Sequence, residues 1–196
     1  MAFLSDDEID KRALGLRKSL GIETQKNPDL ITCIFKAKNK GLIKEYLRDP
    51  YLEDEASFDP ETGILAVREA VFRSANLGVP RSRFTLAHEL GHAALGHQRK
   101  RLRGPLAHRK HEMVSNVRTD ELQADTFAGA FLMPYDLANM SLDTTSIELA
   151  ERFNVSVGAA QARLDQLLRT YRIRNGIKRP LPEAVVQFLN STKPLR

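Results

Sequence analysis

Residues 88–92 read His-Glu-Leu-Gly-His, inside the run RFTLAHELGHAALGH (83–97). In an α-helix, positions i and i+4 lie one turn apart on one face. A helical reading of this run therefore aims the imidazoles of His88 and His92 at a single point. Pro80 suits the start of such a helix and Gly96 its end. Two imidazoles so placed can share one ion held about 2.0–2.1 Å from each nitrogen. Glu89, beside the first histidine, is angled to reach water on that ion without binding the ion itself. A mid-helix glycine costs roughly 1 kcal/mol against alanine, so Gly91 implies that another segment passes close by. The plain alternative is a helix with two hydrogen-bonded, metal-free histidines, and a third ligand decides between the two.

The pattern is the H-E-x-x-H of zinc peptidases. A three-histidine site requires Gly and His three and six residues beyond the second histidine, where this chain has Leu95 and Gln98. His97 falls one residue short and is rotated off the metal face, so it is read as packing or as support for a ligand. His108, His111 and Glu112 sit in a basic run that does not fix their direction. Glu121 is the stronger candidate. It lies in TDELQADTFAGAFL (119–132), expected as a helix with Ala124, Phe127, Ala128 and Phe131 on one face and Pro134 as its stop. Glu121 completes a His₂Glu zinc site that leaves the fourth position to water. Asp125, one turn on, can accept the spare N–H of a ligating histidine and fix its tautomer.

Around these helices the chain reads as follows. Ser5-Asp6-Asp7-Glu8 has capping-box spacing, with a helical stripe at Ile9, Ala13, Leu16 and Leu20 and a stop at Gly21. LITCIFKAK (30–38) fits helix or strand equally. In DEASFDPETGILAV (54–67), two extended segments flank a turn at 59–63, and Ile64–Val67 is expected to be an edge strand on which a substrate could pair. REAVFRSAN reads as a short helix, and 98–118 as a long basic loop. Residues 144–171 read as two helices split at 154–156, with Ser156 capping the second.

The two motifs together, RFTLAHELGH and ELQADTFAGAFLMP, resemble the ImmA/IrrE family of zinc-dependent endopeptidases over roughly residues 55–170. The resemblance implies an α+β fold with a zincin-like peptidase core. In it, a small mixed or antiparallel sheet packs on the H-E-x-x-H helix and a second ligand helix, followed by a helical C-terminal extension. On that division, 1–140 is the peptidase domain and 141–196 the extension, with its helix-turn-helix-like pattern. By matching position, His88, His92 and Glu121 are the Zn²⁺ ligands and Glu89 the catalytic base. Where the family often has Glu-Ala-Asn, this chain has Gln123-Ala124-Asp125, and aspartate keeps the acceptor role. The implied substrate is a protein, a helix-turn-helix repressor cut to release phage, mobile-element or stress genes. Tyr135 is a candidate oxyanion donor.

Charge supplies a rival. The net charge is +5, with six Arg/Lys and no acid in 97–111 and five Arg/Lys in 169–179. ELAERFNVSVGAAQARLDQLLR (148–169) has helix-turn-helix spacing, and Arg163 and Arg169 could meet DNA. The protein would then be a DNA-binding or repressor-binding regulator whose zinc is structural or sensory. The same stretch also reads as two packed helices with Ala150, Phe153, Val155, Ala160, Leu164 and Leu167 inward, and that reading is preferred. The single Cys33 and the acidic start MAFLSDDEID are those expected of a cytoplasmic protein, and no apolar run has membrane-spanning length.

Overall fold

The computed structural model describes residues 4–98, 111–178 and 183–191. Helix α1 (Asp6–Ser19) begins where the Ser5 hydroxyl accepts the Glu8 N–H, and the chain leaves it through Gly21 in the left-handed region. Ile9, Ala13 and Leu20 of its stripe are buried. So is Arg17, whose guanidinium donates to the carbonyls of Phe131 (2.7 Å) and Ile22 (2.9 Å) and ties the end of α1 to the centre of the fold. The ambiguous 30–38 stretch is helix α2 (Leu30–Asn39), capped by the Asp29 carboxylate. Cys33 is fully buried there. Burial pushes its thiol up to about 11, leaving it an inert packing group.

Three short strands follow: β1 (Glu45–Asp49), β2 (Ala56–Asp59) and β3 (Ile64–Arg68). β2 and β3 form the expected antiparallel hairpin, pairing Phe58 with Leu65. β1 runs parallel to β3, Leu47 opposite Ala66, so the order is β1-β3-β2. The expectation that Ile64–Val67 forms an edge is therefore corrected: β3 is the central strand, and β1 and β2 are the edges. The sequence of β1, EYLRD, is half-exposed and lacks apolar alternation, so it carried no strand signal.

Helix α3 (Glu69–Asn76) leads to α4 (Pro80–Leu95), which has Pro80 in its first turn and Gly96, φ 70°, as its left-handed cap. Helix α5 spans His111–Leu132. The long loop expected at 98–118 is corrected over 111–118, which are helical; residues 99–110, including His108, lie outside the described residues. Gly104-Pro105 is the last breaker before α5, and no cap signal marked the residue where helix begins. After α5 come α6 (Tyr135–Ala138), α7 (Ser146–Phe153), α8 (Val157–Arg174) and α9 (Glu183–Ser191).

The fold is α+β, with a mixed sheet beside the packed pair α4 and α5. Leu86 and Leu90 of α4 meet Phe127 and Phe131 of α5 in the core, where the two phenyl rings stack 5.9 Å apart. Helices α7 and α8 are divided at Asn154, φ 49°, and Ser156 accepts the Ala159 N–H. All six residues expected on their inward face are buried. Among the described residues, no helix is long and apolar enough to cross a membrane.

Candidate metal centre

The site is built where α4 and α5 come into contact. Gly91 permits it: a Cβ there would stand 3.0 Å from Phe127 Cδ1 and 3.3 Å from the Ala124 carbonyl oxygen. The close approach anticipated for this glycine is thus made by the second ligand helix itself. It brings Glu121 across to the two histidines one turn apart on α4.

The His88 and His92 Nε2 atoms lie 3.0 Å apart. Glu121 Oε2 is 3.5 Å from the first, and its Oε1 is 3.6 Å from the second. Ligand atoms on a tetrahedral ion at roughly 2.0–2.1 Å would be about 3.3 Å from one another, so the three groups already stand at ligand spacing. Among the described residues, theirs is the His/Cys/Asp/Glu group close enough to hold a metal. The donor set, two imidazole nitrogens and a carboxylate, is one that catalytic zinc takes.

Both histidines are oriented from behind. Asp125 Oδ1 accepts from His88 Nδ1 at 2.8 Å, the role expected of it. Burial opposes the charge on His88, but hydrogen bonds to Asp125 and Glu121 outweigh it, with help from the Glu89 charge, and raise its pKa to about 9. Behind His92 stands His97, ring nitrogen to ring nitrogen at 2.8 Å. His97 lies outside the three-residue cluster and meets one of its imidazoles from behind. Its other nitrogen faces Gln123 Oε1 at 3.2 Å and Asp120 Oδ1 at 4.0 Å. Burial holds the His97 imidazole below its ordinary pKa.

Glu89 is buried against the sheet, where its Oε2 accepts the Phe58 N–H at 2.7 Å. Phe58 is on edge strand β2, so that edge borders the metal cluster. Sequence reasoning missed this contact because a backbone N–H leaves no residue signature. Glu89, His88 and Glu121 open on a cavity of about 500 Å³, bounded on one side by Glu55, Arg81 and Thr85. Glu55 bonds to Arg81 (2.8 Å) and Thr85 (3.1 Å); Arg81 chiefly, against burial, holds its carboxyl below the usual range. The cavity continues into a cleft of about 760 Å³ with Phe84, Leu122, Gly129, Ala159 and Ala162 in its walls.

Two further residues named from the sequence are placed elsewhere. Tyr135 is not near the cluster: its ring lies 4.1 Å from the Arg174 guanidinium, beside a separate small cavity. Helix α5 runs eleven residues past Glu121 to Leu132, roughly 16 Å at 1.5 Å per residue, and Tyr135 lies beyond that end, after Pro134. Arg163 does not face solvent for DNA. It is 3% exposed and forms two 2.8 Å bonds to the Asp10 carboxylate of α1. The side chains of His111 and Glu112 lie outside the described residues.

Residues 45–165 match a peptidase family described as the IrrE N-terminal-like domain. The match covers more than half of the chain and includes every residue of the cluster. No curated protein matches the chain.

Proposed function

The chain belongs to the ImmA/IrrE family of metallopeptidases, and we propose that it is a zinc endopeptidase whose substrate is a helix-turn-helix transcriptional repressor. In this reading His88, His92 and Glu121 hold the metal, Asp125 orients His88, and Glu89 is the base. The observation that carries it is the convergence of those three ligand atoms from two helices, within 4.8 Å of one another. Zinc, when bound, supplies Lewis acidity: it lowers the pKa of a water to about 7 and polarises a carbonyl.

The chain's own residues do the rest. Glu89 takes the proton of the attacking water and returns it to the leaving amine nitrogen as the C–N bond breaks. The Phe58 N–H holds its carboxylate at the groove. An extended substrate segment lies along the β2 edge, which is unpaired by any strand among the described residues, and enters the groove past Phe84 and Leu122. Cutting the repressor releases the phage, mobile-element or stress genes it silences, a role that rests on the family resemblance of the two motifs.

The test is to incubate the zinc-loaded protein with the repressor encoded beside its gene. The reading expects a discrete cut that disappears with chelator and with Glu89→Gln. A repressor that binds the protein yet stays intact under all conditions would leave the protein a binding regulator instead, and one neither bound nor cut would remove it as the substrate.

A further inference from the structure

We propose that His97 is a positioning residue of the metal centre, accepting the Nδ1–H of His92 and so fixing His92 in the tautomer whose Nε2 lone pair faces Glu121 and His88. The inference rests on the reading of this cluster as a zinc site. It concerns how the site is held, which neither the family match nor the motif assigns.

The local chain path delivers His97 to this position. Helix α4 ends in a Schellman turn: Gly96 adopts φ 70°, its N–H bonds to the Ala93 carbonyl, and the His97 N–H bonds to the His92 carbonyl at 3.0 Å. His97 is thereby returned over the last turn of the helix it has just left. Its ring packs edge-on against the His92 ring, with centroids 4.9 Å apart, and is 1% exposed.

Two ring nitrogens 2.8 Å apart share one proton, so one donates and the other accepts. The outer end of the chain sets the direction. His97 Nε2 faces Gln123 Oε1 at 3.2 Å and the Asp120 carboxylate at 4.0 Å. The Gln123 amide turns its oxygen to this nitrogen, and the negative charge of Asp120, though beyond hydrogen-bond reach, favours a proton on His97 Nε2 over a lone pair. His97 Nδ1 then bears a lone pair, His92 Nδ1 bears the proton, and His92 Nε2 is left bare toward the cluster. Reversing the chain would put a proton on His92 Nε2, where it would block the metal. The two ligands are thus supported differently, His88 by the half-exposed carboxylate of Asp125 and His92 by a buried neutral ring.

The test is zinc affinity of the full chain by competition with a chromophoric chelator, together with long-range ¹⁵N–¹H spectra of the imidazoles. His97→Phe fills the space without an acceptor and is expected to bind zinc about 10–100-fold more weakly. His97→Asn places an acceptor oxygen near the lost Nδ1 and is expected to recover most of that affinity. In zinc-loaded wild type, His92 is expected to be protonated on Nδ1 and His97 on Nε2 alone. The spectra need no variant, so the proposal stays testable if His97→Phe fails to fold. Unchanged zinc affinity in His97→Phe, equal losses in the Phe and Asn variants, or a proton on His97 Nδ1 would each overturn it. A wild-type chain that takes up no zinc would instead overturn the site reading beneath it.

Discussion

Replacing Gly91 by alanine probes the contact on which the metal centre depends. In an unobstructed helix the change would be favourable by about 1 kcal/mol. Here the new Cβ meets Phe127 Cδ1 at 3.0 Å and the Ala124 carbonyl oxygen at 3.3 Å, against about 3.5–4.0 Å for a relaxed carbon contact. About 0.5 Å must be found by difference. Phe127 cannot swing aside, being fully buried and stacked on Phe131, and the Ala124 oxygen is backbone. Helix α5 must therefore shift as a body, and overpacking of this kind costs about 1–3 kcal/mol. The expected net effect is a loss of about 1 kcal/mol in urea unfolding of the metal-free protein. The same shift carries Glu121 off the ligand position. Zinc affinity by chelator competition should fall about tenfold, the equivalent of roughly 1.4 kcal/mol. Gly129→Ala is the control: a Cβ there meets Arg163 at an ordinary 3.6 Å, so it should stabilise by up to about 1 kcal/mol and leave zinc unaffected. If Gly91→Ala matched Gly129→Ala in both assays, the account of how α4 and α5 form the site would be wrong.

Glu89→Gln should retain one zinc per chain while losing about 10²–10⁴-fold in the rate of repressor cleavage, measured under single-turnover conditions; a normal rate would remove Glu89 from the role of base. In the metal-free protein His88 has a pKa of about 9 against an ordinary 6.5. Because the folded value is the higher, its stabilising contribution is complete below pH 6.5 and is lost as pH rises through about 9. Urea unfolding should show stability falling across that window, with a smaller fall in Asp125→Asn; equal slopes would contradict the assignment. Asp10→Ala leaves Arg163 buried without its bidentate partner. Breaking a fully buried pair costs about 3–5 kcal/mol, but the Asp10 side chain is 31% exposed, so about 2 kcal/mol is expected in urea unfolding. A loss below about 0.5 kcal/mol would mean that this bridge does not fasten α8 to α1.

What was legible in the sequence was whatever local periodicity or chemistry encodes. His88 and His92 follow from the four-residue step, and Pro80 and Gly96 bracket their helix. Glu121 and Asp125 were found because a His₂ pair needs a third ligand and an acceptor, and ELQAD offers both at helical spacing. The inward face of α7 and α8 is encoded in apolar spacing, which the family resemblance reinforces. Features fixed only by tertiary contact were not legible. β1 is a strand because β3 offers it a parallel edge, and its own residues do not alternate. The hydrogen bond from Phe58 to Glu89 involves a backbone group that any residue carries. Tyr135 follows the ligand helix in sequence but stands beyond its far end, beside Arg174. Arg163 looked like a surface cation, and only its contact with Asp10, more than a hundred residues earlier, reveals it as buried.

The central claim is that side chains from α4 and α5 grip one metal ion between them. Crystals grown with zinc and measured at the zinc absorption edge test it most directly. The account predicts one strong anomalous peak bonded to Nε2 of His88, Nε2 of His92 and the carboxylate of Glu121, with Glu89 beside the ion but not bound to it. A peak elsewhere on the chain, or one that leaves Glu121 uninvolved, would contradict it.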